Sequence, residues 1–183
     1  MEAKIKEPGD VLFRLKRGLA GYISYLAACE MNTAFSEYML YEPILRILTA
    51  RGYRVECEYA VPDDARDTRG DKKRIDFHAS QQLDDGQGGV QFAMEVKWVK
   101  KSRLKIDNDI DKLRKYLDYF ESAEAQAFLC VFGKKTDLDS FCETTLPNKP
   151  SLTPIGKTRI ADFGKTRFGC SVYELHNKKI KPK

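Results

Sequence analysis

The sequence predicts an α/β fold, in which a mixed β-sheet lies between layers of helices in the order α-β-β-β-α-β, preceded by an extra N-terminal helix. Three observations support this prediction. Two segments alternate apolar and polar residues around a Gly-rich turn, a strongly periodic helical segment follows them, and a continuous apolar run comes next. This pattern indicates an antiparallel hairpin, a crossover helix and a buried strand parallel to the second hairpin strand. The 183 residues are predicted to form one domain.

Two helices are predicted before the first strand. Residues 10–30 repeat apolar side chains at helical spacing. Residues 35–51 form the second predicted helix, which ends at Gly52, the residue type favoured just past a helix C-terminus. Pro43 lies inside this segment, so the helix is expected to be kinked or divided there.

A carboxylate lies on the apolar stripe of the second predicted helix. Glu37 precedes Leu40 by three residues and Ile44 by seven, so it shares their helical face. A carboxylate turned towards a sheet needs a partner or a cation. However, Glu37 also lies in the first helical turn, where a negative charge suits the helix dipole and can remain solvated. Both interpretations stay open, and Glu42 is the second choice if Pro43 shifts the phase of the helix.

Three strands are predicted between these helices and the next one. Residues 53–61 alternate apolar and polar side chains, which is typical of a half-buried strand. A polar loop over 62–71 precedes two further strands at 73–80 and 90–99. The Gly-rich segment 84–89 between these two strands predicts a turn and therefore a hairpin.

The polar faces of the two hairpin strands carry the candidate chemistry. Asp76 and His78 share the polar face of the first strand, and Glu95 and Lys97 share that of the second. Pairing of the strands would bring Asp76, Glu95 and Lys97 together on one polar face. The alternative is a hairpin whose polar face simply meets solvent. For His78, a polar strand position is favoured over a catalytic role.

The C-terminal half begins with the clearest helical segment. Residues 104–120 place apolar side chains at helical spacing, and 125–132 are nearly all apolar, as in a strand that is covered on both faces. Residues 133–165 contain several prolines and lack clear periodicity apart from a helical turn near 138–142, so an excursion with function or mobility is expected. The last strand and a basic tail fill residues 166–183.

Composition narrows the class of protein. No apolar run is long enough to span a membrane, and the first residues lack the apolar segment of a signal peptide. The five cysteines contain no Cys-x-x-Cys spacing, and Cys57 and Cys130 fall on the apolar side of predicted strands. They are interpreted as mostly buried, reduced thiols of a cytoplasmic protein, and a structural zinc site is not expected.

The placement of positive charge is more informative than its amount. The net charge of +5 does not by itself indicate a nucleic-acid partner. One short segment after the Glu95 strand is crowded with basic residues, namely Lys100, Lys101, Arg103 and Lys105. Such a cluster is most simply a solvated surface, but beside a metal site it would bind phosphates that flank the reacting one.

The motif residues and the order of elements resemble the PD-(D/E)xK nuclease superfamily, which has the restriction-endonuclease-like fold. Asp76 ends the tripeptide Arg74-Ile75-Asp76, and after eighteen residues it is followed by Glu95-Val96-Lys97. Ile75 stands where the family often has proline. The resemblance covers about residues 35–132, which would form the three-layer core. Glu-x-Lys alone is not specific, because alternating charges are common on strands.

The resemblance implies a Mg²⁺-dependent deoxyribonuclease, most simply a DNA endonuclease, in which Mn²⁺ would substitute for Mg²⁺. It implies that the carboxylates of Asp76 and Glu95 and the carbonyl of Val96 bind the metal. Lys97 would position or deprotonate the attacking water, or stabilise the charged phosphate. Glu37, with Glu42 as second choice, would hold a second metal or a water. Lys112 is a further basic candidate for the cleft.

Two rival functions remain at this point. A nuclease-like domain can bind nucleic acid or a protein partner without cutting, and a stand-alone interaction protein would leave Glu37 and Asp76 solvated. Metal binding separates the nuclease from a plain surface. Cutting both strands of a duplex would favour a two-fold homodimer, although no residue indicates one.

Overall fold

A mixed β-sheet with helices on both faces organises the part of the chain that the computed structural model describes, which is residues 8–31, 35–61, 74–82, 89–100, 105–120, 125–161 and 165–176. The helices are α1 (Pro8–Ala28), α2 (Tyr41–Thr49), α3 (Asp107–Phe120) and α4 (Lys135–Thr144), with short 3₁₀ helices at Glu37–Leu40 and Leu146–Asn148. The strands are β1 (Arg54–Ala60), β2 (Arg74–Gln82), β3 (Gly89–Val99), β4 (Ala125–Lys134), β5 (Leu152–Pro154), β6 (Arg159–Ala161) and β7 (Phe168–Leu175).

The sheet topology confirms the predicted α/β class with a mixed sheet. The strand order is β1-β2-β3-β4-β7-β5, and β6 also pairs with β7. Strands β2 and β3 pair antiparallel, as the hairpin prediction requires, and β3 pairs parallel with β4 through the α3 crossover. Strand β7 is antiparallel to β4.

Each face of the sheet has its own hydrophobic core. The first core joins α1 and α2 to the apolar faces of β2, β3 and β4, and it includes Leu15, Phe77, Met94 and Phe132. The second core lies under α3 and α4 and includes Leu113, Phe141 and residues of the opposite strand faces. Burial on both faces explains why β4 is a continuous apolar run. Of the helices that the structure describes, none is long and apolar enough to cross a membrane.

The second predicted helix is divided in two. Residues Glu37–Leu40 form a 3₁₀ helix that leads into α2, so Glu37 does not lie on one continuous α-helix with Ile44. Pro43 lies in the first turn of α2, where its missing N–H would have no helical partner in any case. Gly52 follows the helix with a φ of 84°, which confirms its predicted role beyond the C-terminus.

Within residues 133–165 the helical turn predicted near 138–142 is confirmed as part of α4, but the regular structure around it was not predicted. The described residues of this range contain α4, a 3₁₀ turn and the short strands β5 and β6. The full length of α4 and the strands β5 and β6 were not predicted, because α4 buries only Leu138 and Phe141 and strands of three residues are too short to show alternation. The buried Lys16 of α1 anchors this region by donating hydrogen bonds to the carbonyls of Ile155 and Lys157.

Cysteine burial follows the prediction only in part. Cys130 is buried, with its Sγ 3.5 Å from that of Cys170 on β7, but Cys57 is exposed. The prediction for Cys57 is wrong because β1 is an edge strand on which most side chains are exposed.

The close pairing of β3 with β4 at Gly133 gives a test of the fold. A Cβ atom at Gly133 would lie 2.7 Å from the carbonyl oxygen of Val99, so we expect Gly133→Ala to lower the free energy of unfolding by about 1–3 kcal/mol. The measurement is urea denaturation followed by circular dichroism. Gly21→Ala is the control: nothing lies within 4 Å of its Cβ, and a helical alanine there stabilises by about 0.5–1 kcal/mol. Equal stability of Gly133→Ala and wild type would contradict this pairing.

Candidate functional site

The β2–β3 ladder ends where the motif residues begin. Its pairs run from Gln82 opposite Gly89 to Phe77 opposite Met94, and Asp76 and Glu95 come directly after the last pair. Beyond the last pair, the side chain of Asp76 replaces a backbone carbonyl as the hydrogen-bond acceptor. Its Oδ2 accepts a hydrogen bond of 2.7 Å from the backbone N–H of Val96. The sequence therefore places two carboxylates side by side at the point where the strands stop pairing.

Asp76 is also held by the neighbouring helix. The hydroxyl of Tyr41 donates to Oδ1 of Asp76 at 2.7 Å, and it lies 3.1 Å from Oε1 of Glu58. Tyr41 in turn packs on Phe77, with ring centroids 4.7 Å apart. Burial raises the pKa of Asp76, and the hydrogen bonds from Tyr41 and the Val96 amide oppose that rise. The two bonds fix both oxygens of the carboxylate in place.

The Tyr41 hydroxyl can be tested by a minimal change. We expect Tyr41→Phe to lower the free energy of unfolding by about 1–2 kcal/mol at neutral pH, because a hydrogen bond to a partly buried carboxylate is lost while the ring packing remains. The measurement is chemical denaturation. Tyr38→Phe is the control, since the Tyr38 side chain is 73% exposed and should change stability little. Unchanged stability of Tyr41→Phe would contradict the anchoring role of Tyr41.

Glu95 is the most buried acid of the site. Its relative exposure is 0%, and the Nζ of Lys112 on α3 lies 2.6 Å from its Oε1. This contact is a buried salt bridge, and the other oxygen of Glu95, Oε2, has no hydrogen-bond partner among the described residues. Burial, reinforced by the charge of Asp76, raises the pKa of Glu95 to about 9. The Lys112 ammonium opposes this rise in the pKa of Glu95 but does not cancel it.

Lys97 lies between two acids on different elements. Its Nζ is 3.4 Å from Oδ1 of Asp109 on α3 and 3.7 Å from Oε2 of Glu37. Burial alone would lower the pKa of Lys97, but the charges of Asp109 and Glu37 outweigh it and raise the pKa. Lys97 is therefore an ammonium in this arrangement, which suits positioning and charge stabilisation better than proton abstraction.

Asp109 and Lys112 complete an alternating network of charges. The Nζ of Lys112 lies 3.5 Å from Oδ1 of Asp109 and donates to the carbonyl of Arg74 at 3.0 Å. The ion pairs therefore run from Glu37 through Lys97, Asp109 and Lys112 to Glu95. Sequence analysis missed Asp109. The sequence did contain a signal for it. Asp109 lies three residues before Lys112 on the helix that follows the Glu95 strand, so the two side chains share one helical face.

Other candidate residues lie outside this network. Glu42 is exposed and pairs with Arg46, so the second choice for the helix glutamate does not join the motif residues. Lys100 lies over the ring of Trp98, and Lys105 is exposed. Lys101 and Arg103 lie outside the described residues. The metal-binding roles predicted for Glu37 and the Val96 carbonyl stay predictions.

The alternative of a solvent-facing hairpin is wrong. Glu95 is fully buried, and His78 is 7% exposed because α3 covers this face of the sheet. The His78 ring stacks on Tyr59, with centroids 4.3 Å apart, and lies parallel to Phe120 at 6.1 Å. The preferred interpretation of His78 as a non-catalytic strand residue agrees with this aromatic packing, although the residue is buried rather than exposed.

Comparison with known proteins assigns neither a family nor a function to the chain. No protein-family model matches the chain, and neither a curated protein nor a solved structure matches it. Within the described ranges, no group of three or more His, Cys, Asp or Glu side chains is arranged to hold a metal ion. A functional assignment therefore depends on the geometry of the carboxylate pair and the charge network around it.

Proposed function

We propose that this protein is a Mg²⁺-dependent nuclease of the PD-(D/E)xK type that cuts DNA. The observation that supports the proposal is the carboxylate pair at the end of the β2–β3 ladder, where Asp76 is held in place and Glu95 is fully buried. A structural hairpin gains nothing from two adjacent acids when the charge of Asp76 raises the cost of ionising the buried Glu95. Such perturbed acids cluster at functional sites.

The donor set fits a magnesium ion. Mg²⁺ prefers oxygen ligands and is usually bound through one or two carboxylates, with water or substrate phosphate in its other positions. Asp76 and Glu95 supply two carboxylates, so a third acidic group is not required. When bound, the metal neutralises charge that develops on the phosphate and activates a water. Oε1 of Glu95 is paired with the Lys112 ammonium, but the buried Oε2 has no hydrogen-bond partner among the described residues, so a cation there would satisfy it.

The remaining residues of the site position the groups that would take part in the reaction. Asp109 and Glu37 hold the Lys97 ammonium, which then orients a water or stabilises a charged phosphate oxygen. Tyr41 and the Val96 amide fix the oxygens of Asp76. Each of these groups is positioned by a second one, as a precise catalytic geometry requires.

A nuclease-like domain that binds nucleic acid or a protein without cutting is the second candidate. One observation favours it: Lys112 already supplies a cation to Glu95, so the chain can neutralise this carboxylate without a metal. Calorimetry with Mn²⁺ separates the two candidates. The nuclease should bind Mn²⁺ and lose that binding in Asp76→Asn, whereas the silent domain should show no metal binding.

The direct test is cleavage of supercoiled and linear DNA with Mg²⁺, Mn²⁺ or EDTA. We expect wild type to cut with either metal, and we expect EDTA and Asp76→Asn to abolish cutting. Asp111→Asn is the matched control, because Asp111 is an exposed acid on α3 whose ion pair with Arg114 lies outside the network. Cutting of the circle would establish an endonuclease. No cutting of DNA or RNA with either metal, together with no metal binding, would overturn the proposal.

A further inference from the structure

A groove opens beside the charge network, on the face of the sheet that α1 and α2 cover. Its volume is about 600 Å³, within the range of small-ligand pockets. Three aromatic side chains form one wall: the ring centroids of Phe35 and Trp98 are 4.9 Å apart, and those of Phe35 and Phe168 are 5.5 Å apart. Two lysines, Lys100 and Lys134, also line the groove.

The lining suits an unpaired nucleotide. Aromatic faces stack with bases of any sequence, and lysines bind the phosphates that connect them. The Nζ of Lys100 lies 5.4 Å from the centre of the Trp98 ring, so a phosphate-binding cation lies next to the aromatic wall. Lys100 and Lys134 outnumber the one acidic residue of the lining, Asp137, which leaves the groove complementary to a phosphate. Two threonine side chains supply further hydrogen-bonding groups.

The groove adjoins the candidate catalytic residues through Glu37. Lys97 and Trp98 are consecutive on β3, so their side chains point to opposite faces of the sheet. Glu37 contacts both residues. Its Oε2 is 3.7 Å from the Lys97 Nζ, and its Oε1 accepts a hydrogen bond of 3.1 Å from the backbone N–H of Trp98. A strand that crosses this end of β3 would therefore meet the charge network and the groove within neighbouring nucleotides.

We propose that the groove binds an unpaired nucleotide of a nucleic-acid strand, with its base stacked against the wall of Phe35 and Trp98 and its phosphate bound by Lys100 and Lys134. This inference rests on the proposed nuclease function for the role of the bound strand. It specifies the substrate class, because a base can stack there only if it is free of its duplex partner. Single strands and duplexes with unpaired ends are then preferred over blunt duplexes.

Trp98 makes the binding step directly measurable. It is the single tryptophan of the sequence, so the intrinsic fluorescence of the full-length chain reports on this groove. We expect a single-stranded thymidine oligonucleotide to quench this fluorescence saturably in EDTA, where no metal-dependent cleavage occurs. A blunt duplex of equal length should bind at least about tenfold more weakly, since stacking of even one base supplies that factor.

Two groove variants separate stacking from charge. Phe35→Ala should weaken single-strand binding about tenfold. The double variant Lys100→Gln/Lys134→Gln should reduce the steepness of the salt dependence, with the slope of log affinity against log salt closer to zero by about 1.4, because two phosphate contacts are lost. The control Arg46→Gln/Lys135→Gln removes the same charge from exposed side chains that pair with Glu42 and Asp139, and it should retain wild-type binding.

The outcomes distinguish this inference from the nuclease proposal. Absence of quenching by the single strand, equal affinity for the blunt duplex, or equal losses in the groove and control double variants would overturn the groove inference, even if DNA is cut. Saturable quenching that is lost in the groove variants would support the inference, even if no substrate is cut with Mg²⁺ or Mn²⁺. In that second case the nuclease proposal alone would fail.

Discussion

Glu95→Gln should reduce metal-dependent DNA cleavage by about 10³-fold while leaving the fold intact. Glutamine has the same size and shape as glutamate but carries no charge, so it cannot neutralise a bound Mg²⁺. Loss of one preorganised electrostatic group typically costs 10²–10³ in rate, and loss of a metal ligand should lie at or above the upper end of that range. Single-turnover cleavage of supercoiled DNA at saturating Mg²⁺ is the measurement. Cleavage within tenfold of wild type would remove Glu95 from the active site.

The same substitution is expected to raise the stability of the fold, although it lowers the cleavage rate. Burial raises the pKa of Glu95 to about 9 in the folded chain, above its ordinary value of 4.5. The unfolded chain therefore releases this proton at lower pH than the folded chain, so the stability of the wild type falls as pH rises from about 5 towards 9. Glu95→Gln cannot ionise there. In EDTA, its melting temperature should exceed that of wild type by a margin that widens over this pH range.

A control variant makes the comparison specific. Glu143→Gln removes the charge of an exposed glutamate at the end of α4 and should keep wild-type cleavage and the wild-type pH dependence. A constant difference in melting temperature between Glu95→Gln and wild type from pH 5 to 9 would show that Glu95 does not carry a raised pKa.

Lys112→Gln should have two opposite effects, because Lys112 is the cation nearest to Glu95 in the described residues. Without metal and at about pH 9, where Glu95 ionises, the variant should lose up to about 3 kcal/mol of unfolding free energy, since removing one partner leaves a buried carboxylate unpaired. With metal, the same carboxylate no longer has a competing ammonium at 2.6 Å. We therefore expect Mn²⁺ affinity to rise about tenfold, which corresponds to about 1.4 kcal/mol.

Denaturation in EDTA and calorimetry with Mn²⁺ measure the two effects. Arg114→Gln is the control on the same helix, because its ion pair with Asp111 is partly exposed and such pairs are worth at most about 1 kcal/mol. Weaker Mn²⁺ binding in Lys112→Gln would mean that Lys112 supports the metal site instead of competing with the metal. Unchanged stability would mean that Glu95 is compensated by another group.

The amino-acid pattern was sufficient for the elements whose signal is local and long. The alternation over β2 and β3, the helical period of α3 and the apolar run of β4 each reflect contacts that repeat along the element itself. The parallel relation of β3 and β4 also followed, because a strand–helix–strand unit has few ways to close.

Elements with few buried residues could be predicted only in part: a helical turn near 138–142 was expected, but not the full length of α4. The short helix α4 buries two apolar side chains, and β5 and β6 have three residues each, so neither leaves a repeat to detect. The division of the second helix into a 3₁₀ helix and α2 was predicted only as one of two alternatives, a kink or a split near Pro43. Helix α2 starts at Tyr41, whose ring packs on Phe77 of β2, a contact that no local repeat in the chain encodes.

The sequence by itself determined the order of elements and the meeting of Asp76 with Glu95, because antiparallel pairing fixes which residues face each other. Only the tertiary structure decided the environment of these acids. Helix α3 covers the strand face that alternation marked as polar, buries Glu95 and brings Asp109 and Lys112 to it. Burial and the distances between charges on separate elements depend on how those elements pack, and no local repeat in the chain encodes them.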